Sequence, residues 1–321
     1  MWKTILRRVL ILIPQLFVLS VLIFFLAQFM PGDALRGMIG PDTTPEQYAI
    51  LRQIHRLDDP WYVQYGTWME GILARGDFGR SVTHKRPVTD IIGERMMNTV
   101  RLSLLTTLFT YIIAIPLGIF AAKKKDRFID KSIMFYTFLA LSMPTVVFSI
   151  INLFIFGFRL RWFPVRGSVD AMAAAGTLEH AVSRLHHLVL PAVTFALLST
   201  ISIIYFLRNE IIDYDASDFV TTARSKGVPE NKVYTGHILR NALLPVAGNA
   251  GLIIAGLFTG SIFIESVFAY PGMGQLFVTS IVGRDFPVVN TLIMFYAILT
   301  VVSYLVTDIL ITIIDPRIHI K

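Results

Sequence analysis

The sequence predicts an all-α integral membrane protein with six transmembrane helices, and three observations support this fold class. The 321 residues are 54% hydrophobic and only 16% charged, with a mean hydropathy of +0.62, whereas soluble domains carry about 25% charged residues. Six uncharged runs exceed the roughly 18 residues that mark a candidate membrane span. Basic residues are distributed unevenly among the segments that connect these runs. The runs are Val9–Met30, Leu102–Ala122, Ser132–Phe158, Leu188–Leu207, Ala242–Ile264 and Phe286–Thr307.

The basic residues predict the orientation, because short cytoplasmic loops carry an excess of Lys and Arg. The amino terminus, the second and fourth loops and the carboxyl tail together hold 15 basic residues, whereas the third and fifth loops hold five. The first loop, with 68 residues, is too long to follow the rule. Both termini are therefore expected in the cytoplasm, in a multi-pass protein of the cell membrane. This bias also explains the net charge of +7, so nucleic-acid binding is not implied.

The long first loop, Pro31–Asn98, is expected to fold back on the outer membrane surface. Thr44-Pro45-Glu46-Gln47 is typical of a helix start, with an N-cap, a proline at the first position and a glutamine at the third. Asp59-Pro60 predicts the start of a second helix. Its aromatic residues suit a membrane–water interface: they are Trp61, Tyr62, Tyr65 and Trp68.

Small residues and prolines mark the spans themselves. The fifth span contains Gly248, Gly251, Gly256 and Gly260, and small residues allow close helix packing in lipid. These glycines fit either of two roles: packing within the chain or a place in an interface that moves. Prolines are expected to interrupt four other spans, and they are Pro14, Pro116, Pro144 and Pro191.

The fourth loop, Arg208–Leu244, is long, charged and capable of forming helices, so it is predicted to meet something outside the bilayer. Ser217 is expected to cap a short helix, Asp218 to place negative charge at its positive end and Gly227 to stop it. Pro229 then opens a second helix. Phe219, Thr222, Ala223 and Lys226 fall on or near one face. A helix that docks in a groove of another protein and a helix that lies on the membrane surface both fit this pattern.

Thr221-Thr-Ala223-Arg-Ser-Lys-Gly227 resembles the EAA loop of the permease subunits of ABC importers. Thr221 stands where the family has glutamate, and Thr222 stands in place of the first alanine. The peptide-importer branch has a similar core followed by Arg-Asn-Ala-Leu-Leu-Pro, which Arg240–Pro245 matches.

Three further stretches resemble the same branch and follow the family's order along the chain. They are Arg7-Arg8 through Pro14 and Ser20 to Pro31-Gly-Asp33, Glu265-Ser-Val-Phe-Ala-Tyr-Pro271-Gly-Met-Gly274, and Asp315-Pro-Arg317-Ile318.

The resemblance implies a type I ABC importer permease fold. It divides the chain into a first helix with an extracytoplasmic segment (1–98), a five-helix permease core (99–315) with the coupling loop at 208–244, and a cytoplasmic tail (316–321). The implied partners are a second related permease, two cytoplasmic ATPase subunits, an external binding protein and the lipid bilayer. Coupling to the ATPase is assigned to Asp218, Phe219, Thr221, Thr222, Ala223, Arg224, Lys226, Gly227 and Pro229. An external gate is assigned to Glu265, Pro271, Gly272 and Gly274.

In this scheme Thr222, Ala223 and Gly227 set how closely the helix seats on the ATPase. Ala223→Glu is therefore expected to abolish uptake while membrane insertion stays intact.

The chain is expected to be a transport subunit rather than an enzyme, with no bound cofactor or metal. No P-loop sequence is present, so ATP is expected to bind to partner subunits. His186-His187 could ligate a metal, although an interfacial polar pair is the preferred interpretation. The resemblance implies a dipeptide or oligopeptide as the cargo, with nickel or another small solute as the alternative. A gradient-driven transporter would need embedded ionisable groups and often inverted repeats, and an intramembrane hydrolase would need a catalytic constellation; neither pattern is found.

Overall fold

The computed structural model describes residues 2–29, 44–54, 58–244 and 250–314. This part of the chain is predominantly helical, and its only extended pairing is an isolated bridge between Arg80 and Pro87. The helices are α1 (Trp2–Phe29), α2 (Pro45–Ile54), α3 (Trp61–Arg75), α4 (Val88–Lys123), α5 (Phe128–Ser142), α6 (Thr145–Asn152), α7 (Leu178–Asp215), α8 (Asp218–Ser225), α9 (Glu230–Lys232), α10 (Leu239–Ala242), α11 (Ala250–Val267), α12 (Met273–Val282) and α13 (Phe286–Ile314). Two π-helical stretches, Leu153–Arg159 and Val233–Ile238, follow α6 and α9.

Helices α4 and α7 form the centre of the bundle and make its most extensive helix–helix contact. They contain 36 and 38 residues, so they extend for about 54 and 57 Å at 1.5 Å per residue. Both exceed the hydrocarbon thickness of about 30 Å, and their ends therefore project beyond it. Together with Phe286–Leu310 of α13, they are long and apolar enough to cross a membrane, and they contain the predicted second, fourth and sixth spans.

The predicted third span, Ser132–Phe158, is not one helix. The chain bends by 107° between α5 and the following helical segment, Thr145–Arg159. Met143 is extended at the break, because the ring of Pro144 disfavours a helical conformation for the residue before it. If this bent pair is one span, the described residues contain up to four candidates. The shorter apolar helices Leu10–Leu26 and Ala255–Val267 overlap the first and fifth predicted spans. The total of six remains a prediction.

Interruption of the spans by proline is confirmed only at Pro144. Pro14, Pro116 and Pro191 lie inside helices α1, α4 and α7, which continue through them. The expected interruptions at these three positions are wrong. Neighbouring helices can satisfy the backbone groups that a proline frees in a membrane helix, so a proline by itself does not decide where a span breaks.

The predicted start of α2 is confirmed by a reciprocal capping box. The backbone amide of Thr44 donates to Gln47 Oε1 at 3.1 Å, and the backbone amide of Gln47 donates to Thr44 Oγ1 at 3.3 Å. Helix α3 begins at Trp61, after Pro60, as predicted. Its aromatic side chains pack against α1: the Tyr65 hydroxyl lies 2.8 Å from Ser20 Oγ, and the Tyr65 ring contacts Phe24 edge-on. These residues therefore take part in helix packing, and their placement at the membrane interface stays a prediction.

The glycines of the fifth span differ in their surroundings. A Cβ on Gly251 would lie 2.5 Å from the Ser303 carbonyl oxygen and 2.7 Å from Thr307 Oγ1, so the glycine permits close packing of α11 on α13. A Cβ on Gly256 would meet no heavy atom within 4 Å. Gly248 and the surroundings of Gly260 lie outside the described part of the chain. Packing within the chain thus accounts for Gly251 and leaves Gly256 facing open space.

Candidate functional site

Helix α8 forms the predicted coupling helix, and its first turn differs in one respect from the prediction. Ser217 occupies the N-cap position with extended backbone angles, but its hydroxyl makes no capping bond. The hydroxyl donates instead to the Tyr214 carbonyl oxygen at 2.5 Å, which ties the start of α8 to the end of α7. The expected side-chain cap is therefore wrong. Asp218 does lie in the first turn, where its charge complements the helix dipole.

The predicted stop at Gly227 is confirmed as a Schellman motif. Gly227 has φ +76°, a left-handed conformation that favours glycine. Its amide donates to the Arg224 carbonyl oxygen at 2.9 Å, and the amide of Val228 donates to the Ala223 carbonyl oxygen at 3.2 Å. The chain then turns through Pro229, which precedes α9 as predicted. Both ends of α8 are therefore fixed by local hydrogen bonds.

The two faces of α8 have different environments. Val220 and Ala223 are buried, with exposed fractions of 0% and 6%, and Val220 packs in a core cluster that contains Ile211 of α7 and Val233. The opposite face is exposed and is called here the outward face; it consists of Asp218, Phe219, Thr221, Thr222, Ser225 and Lys226. This arrangement corrects the single face predicted for Phe219, Thr222, Ala223 and Lys226, because Ala223 packs inside this chain. Ala223→Glu would bury a carboxylate in that core, so intact insertion is no longer expected of it.

Arg224 ties α8 to both neighbouring segments. Its Nη2 lies 2.6 Å from Asp215 Oδ1 at the end of α7, and its Nε lies 2.8 Å from Glu230 Oε1 of α9. These hydrogen bonds, that to Glu230 first and then that to Asp215, raise the pKa of the guanidinium above its ordinary value, so it is charged at every physiological pH. Lys123 at the end of α4 adds a hydrogen bond to Asn231 Oδ1 and lies over the Tyr234 ring. The loop is thereby fastened to the ends of α4 and α7.

A further ion pair connects α5 with α7. Arg208 of α7 donates from Nε and Nη2 to the two carboxylate oxygens of Asp130 on α5, each at 2.6 Å. The Asp130 side chain is only 3% exposed. This pair was not among the predicted site residues, because 78 residues separate its members. Two charged residues at the ends of two uncharged runs were the only available signal.

Arg224→Gln is expected to reduce the coupling that the loop provides. The variant loses two charge-assisted contacts, in which the Arg224 side chain is 33% exposed, Asp215 35% and Glu230 61%, and exposed pairs contribute about 0–1 kcal/mol each. Substrate uptake by the complete transporter should fall about threefold to tenfold, with little change in chain abundance. Lys232→Gln removes a positive charge from an exposed position of the same loop and should transport normally. Equal uptake by both variants would show that the Arg224 contacts are dispensable.

The predicted gate residues meet at the start of α12, where Glu265 is fully buried. Its carboxylate accepts hydrogen bonds from Thr99 Oγ1 at 2.7 Å and from the backbone amides of Gly274 and Gln275 at 2.7 and 3.1 Å. These amides belong to the first turn of α12, whose dipole favours a negative charge. Glu265 therefore joins α11, α4 and α12 at one point.

The two glycines of this turn allow it to pack closely against Glu265 and Ile262 of α11. A Cβ on Gly272 would collide with the Glu265 carboxylate, and a Cβ on Gly274 would lie 2.5 Å from Ile262 Cα. The Pro271 carbonyl oxygen accepts a hydrogen bond from Asn98 Nδ2 at 2.9 Å. The structure thus brings together all four residues assigned to the gate. Whether they move during transport remains a prediction.

Asp285, which follows the other end of α12, is another buried carboxylate and was not among the predicted site residues. It accepts hydrogen bonds from the Ser81 hydroxyl and from the backbone amides of Val82 and Thr83, both at 3.1 Å. Its position directly before an apolar run was a weak local signal. Its partners lie about 200 residues earlier in the chain, so no sequence pattern connects them. Asp285 fastens the 80–87 turn to the start of α13.

The histidine pair makes contacts with the backbone. His186 Nε2 lies 2.8 Å from the Trp162 carbonyl oxygen, and His187 Nδ1 lies 2.8 Å from the Ser183 carbonyl oxygen. The described ranges contain no cluster of three or more His, Asp or Glu side chains arranged to hold a metal ion. These contacts agree with the interpretation of His186 and His187 as a polar pair.

The chain has full-length relatives among known transport proteins. It is 38% identical over 316 residues to the oligopeptide transport system permease protein AppB of Bacillus subtilis, with 98% of each chain covered. It is 33% identical over 321 residues both to the dipeptide transport system permease protein DppB of Lactococcus lactis and to the glutathione transport system permease protein GsiC of Escherichia coli, with all of each chain covered.

A solved structure shares the fold at low sequence identity. The methionine ABC transporter MetNI, in an inward-facing conformation, superposes with a TM-score of 0.57 at 13% identity. The match covers 70% of this chain and 96% of the MetNI chain. The helical bundle therefore has the fold of an ABC importer permease, which confirms the predicted fold class apart from the number of spans.

Two family models cover nearly the whole sequence. Residues 1–103 match the amino-terminal component of binding-protein-dependent transport system membrane proteins. Residues 114–320 match the inner membrane component of the same systems. The predicted division after residue 98 falls inside the continuous helix α4 and stays a prediction. The chain belongs to the binding-protein-dependent transport system inner membrane component family, the membrane permeases of ABC importers.

Proposed function

We propose that this chain is one membrane subunit of an ATP-driven importer that carries peptides into the cell. Full-length similarity to oligopeptide, dipeptide and glutathione permeases supports this substrate class. The named cargoes of these relatives all contain amide-linked amino acids, so the peptide assignment is favoured over nickel. ATP binding and hydrolysis are assigned to two ATPase subunits, and the chain itself binds no cofactor and is not an enzyme.

The observation that carries the mechanism is the division of α8 into a buried face and an outward face. Val220 and Ala223 hold the helix on its own chain, so the outward face is available to an ATPase subunit. Arg224 connects α8 to the end of α7 and to α9, and Lys123 connects α9 to the end of α4. A displacement of α8 by the ATPases would therefore be passed to the two central helices of the bundle.

The remaining partners follow from the proposed orientation. Both termini and the 208–244 loop are placed in the cytoplasm because of their excess of basic residues. The 80–87 turn and the Glu265–Gly274 turn then lie on the outer side, where an external binding protein would deliver the peptide. A second, related permease would complete the pathway. The transporter then alternates between two states, which nucleotide biases from inside and the binding protein biases from outside.

Deletion and complementation of the gene test this function. Uptake of labelled dipeptides and oligopeptides should be lost in the deletion strain and restored by the wild-type chain together with its ATPase subunits. Nickel uptake, measured in the same strains, should not change. Unaltered peptide uptake combined with loss of nickel uptake would contradict the peptide assignment. Uphill transport by the chain reconstituted alone would contradict the assignment of energy coupling to separate ATPases.

A further inference from the structure

The turn that joins α4 to α5 carries a surface of four basic side chains, called here the basic turn. It consists of Lys124, Lys125, Arg127 and Lys131, all of which are exposed. Asp126 is the one exposed acidic side chain between them, so four positive charges against one negative charge leave a net charge of +3. None of the four cations forms an ion pair with another residue of the described ranges. This concentration of charge suits an anionic partner outside the chain.

Hydrogen bonds fix the shape of the basic turn. Asp126 adopts a left-handed backbone conformation with φ +62°, and its amide donates to Asp130 Oδ2 at 2.9 Å. The amide of Arg127 donates to the Lys124 carbonyl oxygen, also at 2.9 Å. Arg208 donates to both oxygens of Asp130, so the charge of this carboxylate is matched within the chain. The basic turn is therefore preorganised, which lowers the entropy cost of binding a partner.

The position of the basic turn relative to the membrane follows from the uncharged run that precedes it. Leu102–Ala122 contains 21 residues without a charge and lies entirely within helix α4. At 1.5 Å per residue it extends for about 31 Å, which matches the hydrocarbon thickness of about 30 Å. Lys124 follows two residues beyond its end, at the level of the lipid headgroups. The phosphate groups of phospholipids are therefore anions within reach of the basic turn.

The first turn of α5 adds an apolar side chain to this surface. One face of α5 packs against the rest of the chain, and its buried residues are Asp130, Ile133, Thr137 and Ala140. The opposite face exposes Phe128, Phe135 and Phe138, with exposed fractions of 83%, 68% and 61%. Phe128 thus lies at the end of an apolar face and next to the cations. Basic and aromatic side chains exposed side by side are typical of a surface that lies in the membrane interface.

We propose that the basic turn binds the phosphate groups of anionic phospholipids in the cytoplasmic leaflet, while Phe128 inserts between their acyl chains. The choice of leaflet rests on the orientation that is part of the proposed function. A cluster of four basic residues directly after a membrane helix is typical of segments that bind anionic lipid. Lys123, one residue before the basic turn, contacts the 208–244 loop through Asn231. Bound lipid would therefore hold the ends of α4 and α5 at the membrane surface beside the segment that follows α8.

Removal of three of the charges tests the proposed contact. One variant combines Lys124→Gln, Lys125→Gln and Arg127→Gln. Its matched control combines Lys124→Arg, Lys125→Arg and Arg127→Lys, which keeps the charges at the same exposed positions. The apparent affinity of the complete transporter for phosphatidylglycerol, relative to that for phosphatidylcholine, is measured by titration in detergent. The glutamine variant should lose this preference by at least about fivefold at low ionic strength, the contribution of a single basic residue, whereas the control should keep it.

The depth of position 128 in the membrane gives an independent readout. The chain contains no cysteine, so Phe128→Cys provides one site in this chain for a nitroxide label, with partner subunits freed of accessible cysteines. In vesicles of phosphatidylcholine and phosphatidylglycerol, oxygen, which concentrates in hydrocarbon, should relax this label more than a water-soluble nickel complex does. Thr235→Cys, at an exposed position of the 208–244 loop, should show the opposite ranking. A label at position 128 that ranks like the one at position 235 would contradict the insertion of Phe128.

The remaining outcomes separate this proposal from the proposed function. Failure of the wild-type chain to restore peptide uptake would refute the peptide function, whereas the lipid measurements on the purified transporter would still decide this proposal. Labelling of Lys124→Cys by a membrane-impermeant maleimide added to intact cells would place the basic turn outside and overturn the assignment to the cytoplasmic leaflet. An unchanged lipid preference of the glutamine variant, together with loss of ATPase association, would show that the basic turn meets the ATPase instead. An unchanged preference with normal association would overturn the proposal as well.

Discussion

Thr222→Glu is expected to reduce peptide uptake more than about tenfold while the chain reaches the membrane at its normal level. Thr222 lies on the outward face of α8, and its hydroxyl donates to the Asp218 carbonyl oxygen at 2.8 Å. A glutamate there disturbs no buried contact within this chain. It would, however, place an unpaired carboxylate in the proposed contact with the ATPase, and removing such a charge from water is costly.

Thr235→Glu is a closely matched control for this variant. Thr235 is also exposed, belongs to the same loop and donates to the carbonyl oxygen four residues earlier, that of Asn231, at 2.7 Å. Uptake, ATPase association in detergent and chain abundance are measured for both variants. Thr235→Glu should retain all three, whereas Thr222→Glu should retain only abundance. Normal uptake and ATPase association of Thr222→Glu would contradict a docking role for α8.

Ala223→Glu should give a different combination of losses. Ala223 is 6% exposed, so the glutamate would be buried within this chain. Abundance and uptake are therefore expected to fall together. The comparison between Thr222 and Ala223 distinguishes the contact surface of α8 from its anchoring surface.

Glu265→Ala is expected to destabilise the chain strongly, by about 3 kcal/mol, because two buried donors and one partly buried donor lose their acceptor at about 1–3 kcal/mol each. These donors are the Thr99 hydroxyl and the backbone amides of Gly274 and Gln275. The start of α12 would lose its link to α4 and α11. Thermal unfolding of the purified transporter and the amount of chain in the membrane measure the effect.

Two further variants test whether the loss of stability is specific to the buried carboxylate of Glu265. Glu179→Ala removes an exposed carboxylate from the first turn of α7, and it should change stability by less than about 1 kcal/mol, the scale of an exposed helix-dipole interaction. Glu265→Gln keeps one acceptor oxygen and should be less damaging than Glu265→Ala. If Glu265→Ala proves as stable as Glu179→Ala, the carboxylate does not hold the turn together.

Local sequence patterns predicted the helical class and several helix ends, because the signals for these features lie within a few residues. The capping box at Thr44 and the glycine stop at Gly227 are confirmed for this reason. The resemblance of Thr221–Gly227 and of the Glu265–Gly274 turn to family motifs also located both candidate sites. Pro144 was one of four similar proline signals, and of these four only Pro144 accompanies a break, a distinction that no local pattern indicated.

The sequence by itself determined that the chain is an apolar helical membrane protein with a charged loop of a recognisable type. Tertiary structure decided which face of α8 is exposed, because Val220 is buried in a cluster with Ile211 of α7 and Val233 of the segment after Pro229. It also decided the partners of Asp285 and Asp130, which lie about 200 and 78 residues away in the chain. Helical periodicity and capping act over one or two turns, whereas buried charges find their partners only when distant helices pack together.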